Sequence, residues 1–419
     1  MADDHFDVRN TEFVNLLSNL GPGTLRFGGN AVEHTGWSRS KRAKAEGEQA
    51  VLTPEDLDRM FAFAKAIGWR VILGLNLAHG DPARAADEAA YAVTGGGAQL
   101  SAIEIGNEPD LYVRAWHFRP PSWQYQDFRN EFESYVHAIR AREPRTPIAG
   151  PATAQGLGAT WFPEFLKDEG SVIAFATQHL YPMSAAADIG PDSPRYATIA
   201  NMLSPASMQR VSEQVQQFAQ ATEAAHVRLR MGETNSASRG GKDGVSNVFA
   251  AALWGADYAF TLAESGADGL NFHSGFECRG YTPICRSGSE YVVQPLYYGM
   301  LLFHAAMPRQ VVPVTVESSA NMAAHAVVGS DARLALVLVN KDPREPVRVQ
   351  IQGTSARRAK LLSLTGDAFD SASGIKFGGH AVSADGKWSP DRGETILSKR
   401  HVFEMTAPPA SALLVQFEK

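Results

Sequence analysis

Cysteine is nearly absent: the 419 residues hold two, Cys278 and Cys285, in "GFECRGYTPICRSGSEY". Two thiols with no histidine at ligand spacing do not make a zinc site, which takes four ligands. Two readings stay open, a pair of free thiols or one loop-closing disulfide that implies an oxidising compartment. Long apolar runs are missing, so no membrane-spanning helix is expected. Basic residues do not dominate. Lys and Arg number 39 against 45 Asp and Glu, a formal net charge of −6. That excludes a protein that coats nucleic acid and leaves room only for a local basic cleft. The N-terminus, "MADDHFDVRN", lacks the basic start and apolar stretch of a signal peptide, so a cytoplasmic location stays open. No glycine-rich phosphate loop opens a helix, and no serine sits in a nucleophile elbow. No metal or cofactor set is expected.

What the chain does have is alternation. Short β-like runs recur at 24–30, 70–76, 100–108, 147–153, 172–182, 228–234 and 267–275. Several are apolar through most of their length, as strands buried on both faces are. Helical stretches lie between them. "TPEDLDRMFAFAKAIG" offers Thr53 as N-cap, Pro54 in the first turn and Gly68 as a stop. This pattern predicts a (β/α)8 TIM barrel over residues 1–310. Seven strands are countable, so the first is expected to be short or missing at the N-terminus, ending around Asp3–Asp7 or lying before residue 1. From 311 to 419 the runs become short, strand-like and separated by Gly, Asp, Asn and Pro. They predict an antiparallel β-sandwich.

Barrel active sites form at the C-terminal ends of the strands. Those ends carry Asn30, Asn76, Asn107-Glu108, His179, Tyr181, Glu233-Thr234-Asn235, Asn271 and His273. Two acids stand out. Glu108 follows "IEIGN" and Glu233 follows "RLRMG", each ending an apolar strand after a small residue. Two carboxylates facing one another suit glycosidic bond cleavage, one protonating the leaving oxygen and one attacking the anomeric carbon. Two structural ion-pair partners would leave the same trace.

"IEIGNEPD" resembles the acid/base strand, the fourth, of the retaining glycoside hydrolases of the large (β/α)8 clan. "MGETNSAS" resembles their nucleophile strand, the seventh. Together with "LRFGGN", "QHLYP" and "EYVVQPLYYGMLLF", in that order, they are similar to glycoside hydrolase family 79, the heparanases and β-glucuronidases, over essentially the whole chain. The resemblance implies Glu108 as acid/base and Glu233 as nucleophile. It implies Asn107 on the sugar 2-hydroxyl, Asn30 lining the sugar site, His179 and Tyr181 holding the nucleophile, and Asp4 as a first-strand sugar contact. Arg239, Gly240, Gly241 and Tyr281 become the candidates for holding a glucuronate carboxylate. The loop 276–291 looks more like that of bacterial members. A glucuronic-acid-containing oligosaccharide or polysaccharide, with heparan sulfate foremost, is the implied substrate, and a secreted or periplasmic location is the family's.

Two rival readings remain, a xylosidase or arabinofuranosidase of the same clan and a carbohydrate-binding protein without catalysis. A sulfated substrate also predicts a basic rim. Arg114, His117, Arg119, Arg239, Lys242, Arg279 and Arg286 all follow strand ends.

Overall fold

The computed structural model describes residues 5–40, 44–306, 308–329 and 332–418. Seven parallel strands form one sheet in sequence order: β1 (Thr24–Phe27), β2 (Arg70–Leu75), β3 (Leu100–Ile105), β4 (Ile148–Thr153), β5 (Phe175–Leu180), β6 (Leu229–Thr234) and β7 (Gly269–Phe272). All seven are the runs read from sequence. Along the chain each strand is followed by a helix, as parallel pairing requires. The sheet is nearly closed: Asn271 on β7 donates to the Thr24 carbonyl on β1 at 2.8 Å. Residues 5–10 form turns, and the expected first strand is absent from the described residues there. Asp3 and Asp4 lie outside the described residues.

Local chemistry sets the elements as predicted. The helix Pro54–Ala66 starts with Pro in its first turn, and Asp56 accepts the Thr53 backbone N–H at 3.0 Å. Gly68 ends that turn at φ 70°, a conformation that only glycine adopts without penalty. Strand β2 follows, with Val71, Ile72, Leu73 and Leu75 fully buried, the signature of a strand covered on both faces.

The chain separates into two compact units. One comprises Met1–Leu180, Val215–Thr234 and Gly266–Phe272, and holds all seven barrel strands. The other comprises Tyr181–Gln214, Asn235–Ser265 and His273–Lys419. In the second unit the strands from Pro308 onward pair antiparallel. The main sheet runs β8 (Pro308–Val312), β9 (Met322–Gly329), β10 (Leu334–Asn340), β14 (Ser411–Glu418), β12 (Arg358–Thr365). A second pair, β11 (Val347–Ile351) with β13 (Phe403–Ala407), completes the sandwich. Leu336, Leu338, Phe403, Leu413, Val415 and Phe417 fill its core. His325 on β9 and Lys341 just past β10 reach Asp257 of the helix Phe249–Glu264, at 2.9 and 2.7 Å. His325 also bonds Glu264 at 2.9 Å.

Candidate active site

The sequence leaves β3 through Gly106, Asn107 and Glu108. Gly106 has φ 79°, and a Cβ there would meet Leu77 Cδ2 at 2.9 Å. Glu108 takes the left-handed conformation, φ 48° and ψ 54°, and its N–H donates to the Ala152 carbonyl on β4 at 2.8 Å. A side-chain-bearing residue in that region stores strain that surrounding bonds must hold. Pro109 then opens the short 3-10 turn Pro109–Leu111 and stops the strand. This turn aims Glu108 off the strand end.

Glu233 stands one residue before the end of β6, and its register partner on β5 is His179. His179 Nδ1 in turn meets Glu108 Oε1 at 3.0 Å. One ligand atom from each of Glu108, His179 and Glu233 lies within 4.8 Å of the other two. The imidazole thus stands beside both acids. The resemblance implied that His179 holds the nucleophile; the hydrogen bond it makes here is to Glu108. Burial disfavours the imidazolium, but Glu233 and then Glu108 outweigh it, and the His179 pKa is raised.

A guanidinium organises the cluster. Arg26 on β1 donates from Nε to Glu104 at 2.6 Å, from Nη1 to Glu233 at 3.0 Å and from Nη2 to Asn107 Oδ1 at 2.9 Å. Burial opposes its charge, yet Glu104 and Glu233 raise its pKa further. The side chains of Arg26 and Glu104 are 5% and 0% exposed, whereas that of Glu108 keeps 13%. Glu104 is therefore a buried counter-charge, while Glu108 keeps part of its carboxylate open.

Asn107 donates from Nδ2 to Asn30 Oδ1 at 3.0 Å, and Asn30 is exposed. Its backbone N–H goes to Glu33 Oε1 at 2.6 Å. Burial raises the Glu33 pKa against Tyr112 and three backbone donors. Asp110, two residues past Glu108, is pushed up to about 7 by burial, with the Ala154 N–H opposing and the Glu108 charge adding. Among the described residues, Glu108, His179 and Glu233 are also the His and carboxylate group close enough to share a metal ion. Arg26 beside them already supplies the positive charge.

The second unit gathers the other candidates. Tyr181 directly follows β5, and His273 directly follows β7. The hydroxyls of Tyr181 and Tyr281 meet His273 Nδ1 at 2.9 and 2.8 Å, and the two phenol rings stack 6.3 Å apart. Cys278 and Cys285 form a disulfide that closes the loop bearing Tyr281. The Tyr281 N–H donates to the Gly240 carbonyl at 3.2 Å. Gly241 has φ 82°, and a Cβ there would sit 2.7 Å from the Tyr281 nitrogen. Arg239 is exposed at φ 67°. So Gly240, Gly241 and Tyr281 are held together, and Arg239 precedes them as an exposed side chain.

The basic residues expected to form a rim divide into engaged and exposed side chains. Arg119 bonds Glu131 at 2.6 Å and the Ala78 carbonyl at 2.8 Å. Lys242 reaches the Ala197 carbonyl at 3.1 Å and lies 4.4 Å from the centre of the Tyr196 ring. Arg279 pairs with Glu277. Arg114, His117 and Arg239 are exposed.

Sequence reasoning missed Arg26, Glu104 and Glu33. The signal was present in the first two. Each is a charge inside a strand otherwise built for burial, "TLRF" and "LSAIEI", and buried charges are found paired. Glu33 stands in the polar stretch "GGNAVEH", where nothing local marks it.

Solved structures share this fold. A 4-O-α-L-rhamnosyl-β-D-glucuronidase from Fusarium oxysporum 12S superposes with a TM-score of 0.82 at 20% identity, covering 97% of this chain and 92% of that one. An α-L-arabinofuranosidase from Thermotoga maritima gives 0.73 at 16% identity, covering 100% and 91%. The architecture is a (β/α)8-type barrel followed by an antiparallel β-sandwich, the class to which these glycan-cleaving enzymes belong. Within that class the chain belongs to glycosyl hydrolase family 79: the profile of that family's N-terminal domain matches residues 7–259. A β-glucuronidase of Neurospora crassa is 28% identical over 69% of this chain and 58% of its own length. A β-glucuronidase of Aspergillus niger is 24% identical over 68% and 57%. The match thus spans less than two thirds of either curated relative.

Proposed function

We propose that this chain hydrolyses β-glucuronidic bonds with retention of configuration. The observation that carries the reading is the approach of Glu108 and Glu233, within 4.8 Å at one oxygen of each. Retaining enzymes hold their carboxyls about 5–5.5 Å apart, and inverting ones need about 6.5 Å or more to admit a water. Glu233, held ionised by Arg26, attacks the anomeric carbon. Glu108 gives its proton to the departing glycosidic oxygen, then takes one from the water that breaks the glycosyl–Glu233 ester. Asn107 meets the 2-hydroxyl, with Asn30 beside it. Two β-glucuronidase relatives and a glucuronidase-like fold support glucuronate as the sugar.

Heparan sulfate is the polymer proposed from the family. The engagement of Arg119 and Lys242 favours its sparsely sulfated, glucuronate-rich stretches. A secreted or periplasmic location is proposed with it, supported by the Cys278–Cys285 bond.

The test is proton NMR of 4-nitrophenyl β-glucuronide hydrolysis beside the β-glucoside and β-xyloside. The expected result is β-glucuronic acid as the first product, with the glucuronide far ahead of both neutral sugars. An α first product overturns retention, and preference for a neutral sugar overturns the substrate class. Unsulfated heparosan and heparin, compared as polymers, test the sulfation preference.

A further inference from the structure

We propose that Glu33 is a positioning residue for the contact between Asn107 and the sugar 2-hydroxyl. The proposal rests on the reading above, in which Asn107 makes that contact.

Glu33 lies in the 3-10 turn Asn30–His34, directly after the Gly28-Gly29 step that ends β1, and is 2% exposed. One carboxylate takes four donors. Oε1 accepts the Asn107 N–H at 2.6 Å and the Tyr112 hydroxyl. Oε2 accepts the Leu77 and Ala78 N–H groups at 3.0 and 2.8 Å. Those donors come from the chain just past β2 and just past β3. A single buried side chain therefore ties the ends of three neighbouring strands at the catalytic rim. An ionised carboxylate is the side chain suited to this, since it accepts at both oxygens and donates nothing.

The geometry around Asn107 gives the tie a chemical purpose. Arg26 Nη2 donates to Oδ1, which fixes the orientation of the amide, and Asn30 Oδ1 takes one of the two Nδ2 hydrogens. With the backbone N–H on Glu33, the amide keeps one hydrogen to offer a ligand. Its direction depends on the Asn107 backbone staying where Glu33 holds it. The next residue, Glu108, is in the left-handed conformation and is pinned on its other side by its own N–H to the Ala152 carbonyl. Loosening Asn107 thus releases one of the two flanking restraints on that strained turn.

A hydrogen bond to the 2-hydroxyl that strengthens in the transition state is lost on a substrate without that hydroxyl. The experiment uses this. Wild type, Glu33→Gln and Glu33→Asp are compared on an aryl β-glucuronide and on its 2-deoxy counterpart. Glu33→Gln places an NH2 against groups that themselves donate. It is expected to lower kcat on the glucuronide on the order of tenfold to a hundredfold, with KM changing little. On the 2-deoxy substrate the same variant should fall less than about threefold. Glu33→Asp keeps the charge with a shorter reach and is expected to show the same selective loss. It carries the test if Glu33→Gln gives no cooperative melting. Tyr112→Phe removes a donor from Oε1 but not the Asn107 bond, so it should leave the ratio between the two substrates at the wild-type value. Equal losses on both substrates, or no loss on either, overturn the proposal. Failure of the wild type to cleave the glucuronide overturns the functional reading instead.

Discussion

Arg26 Nη1 donates to Glu233 at 3.0 Å, and the same guanidinium neutralises Glu104, so one cation serves two buried carboxylates. Arg26 also holds Asn107, which precedes Glu108. Both proposed catalytic acids are thereby referenced to a single side chain on β1. Buried ion pairs cost more to break than they contribute when intact. Arg26→Ala leaves two acids uncompensated, and an unfolding free energy lower by about 3–5 kcal/mol is expected in denaturant titration. Arg26→Lys keeps the charge but not the three-way fork. It should cost less stability while lowering kcat by at least about tenfold, because Glu233 and Asn107 can no longer be bonded together. A lysine variant with wild-type kcat would remove Arg26 from the positioning of the site.

The acid pair predicts a division of labour. Glu108→Gln and Glu233→Gln keep shape and lose, respectively, the proton donor and the nucleophile. Each should cut kcat by orders of magnitude at unchanged melting temperature. Azide should restore turnover to Glu233→Ala as a substitute nucleophile, giving an α-glycosyl azide. Near-normal rates in either Gln variant would displace that residue from catalysis.

His179 reports on the same pair. Its pKa is raised, burial opposing and Glu233 leading the favourable charges. A raised histidine pKa means that the folded state holds the proton to higher pH than the unfolded chain does. Glu233→Gln removes the leading favourable charge, so the His179 ring should titrate at lower pH. Nitrogen NMR of the imidazole, assigned with His179→Asn, measures this. An upward shift or none would mean that the ring does not sense Glu233.

The sandwich carries its own titration. His325 is pushed up to about 9: burial disfavours its charge, while Asp257 and Glu264 outweigh that cost. Its contribution to stability is fully present below about pH 6.5, its ordinary value, and is lost as pH rises through about 9. His325→Gln should therefore destabilise the chain most below about pH 6.5 and converge on the wild type above about pH 9, in melting curves recorded across that range. Parallel curves at all pH values would show that the histidine contributes packing alone.

The Cys278–Cys285 bond closes a loop whose Arg279 is exposed while Tyr281 is buried. Reduction by a dithiol should lower stability by about 2–3 kcal/mol, the chain-entropy value for so short a loop. It should also speed tryptic cleavage after Arg279, read by mass spectrometry. Unchanged cleavage would show that the bonds of Tyr281 to Gly240 and His273 hold the loop without the sulfurs.

The sequence by itself determined the periodic features. Apolar runs separated by helix signals gave seven parallel strands, because a strand covered on both faces has no polar alternation to hide it. The antiparallel tail was equally plain from its turn residues. Glu108 and Glu233 were legible because each breaks an apolar run at the end of a strand, after a small residue. The tertiary structure decided what those acids touch. Arg26 lies 207 residues from Glu233 and 78 from Glu104 along the chain, and no local pattern records such a distance. Likewise, Glu33 meets Asn107 across 74 residues. Hydrophobic periodicity is a local property imposed by burial, so it can be read from neighbours in sequence. Charge pairing inside a barrel is set by which strands lie side by side, and only the assembled sheet supplies that.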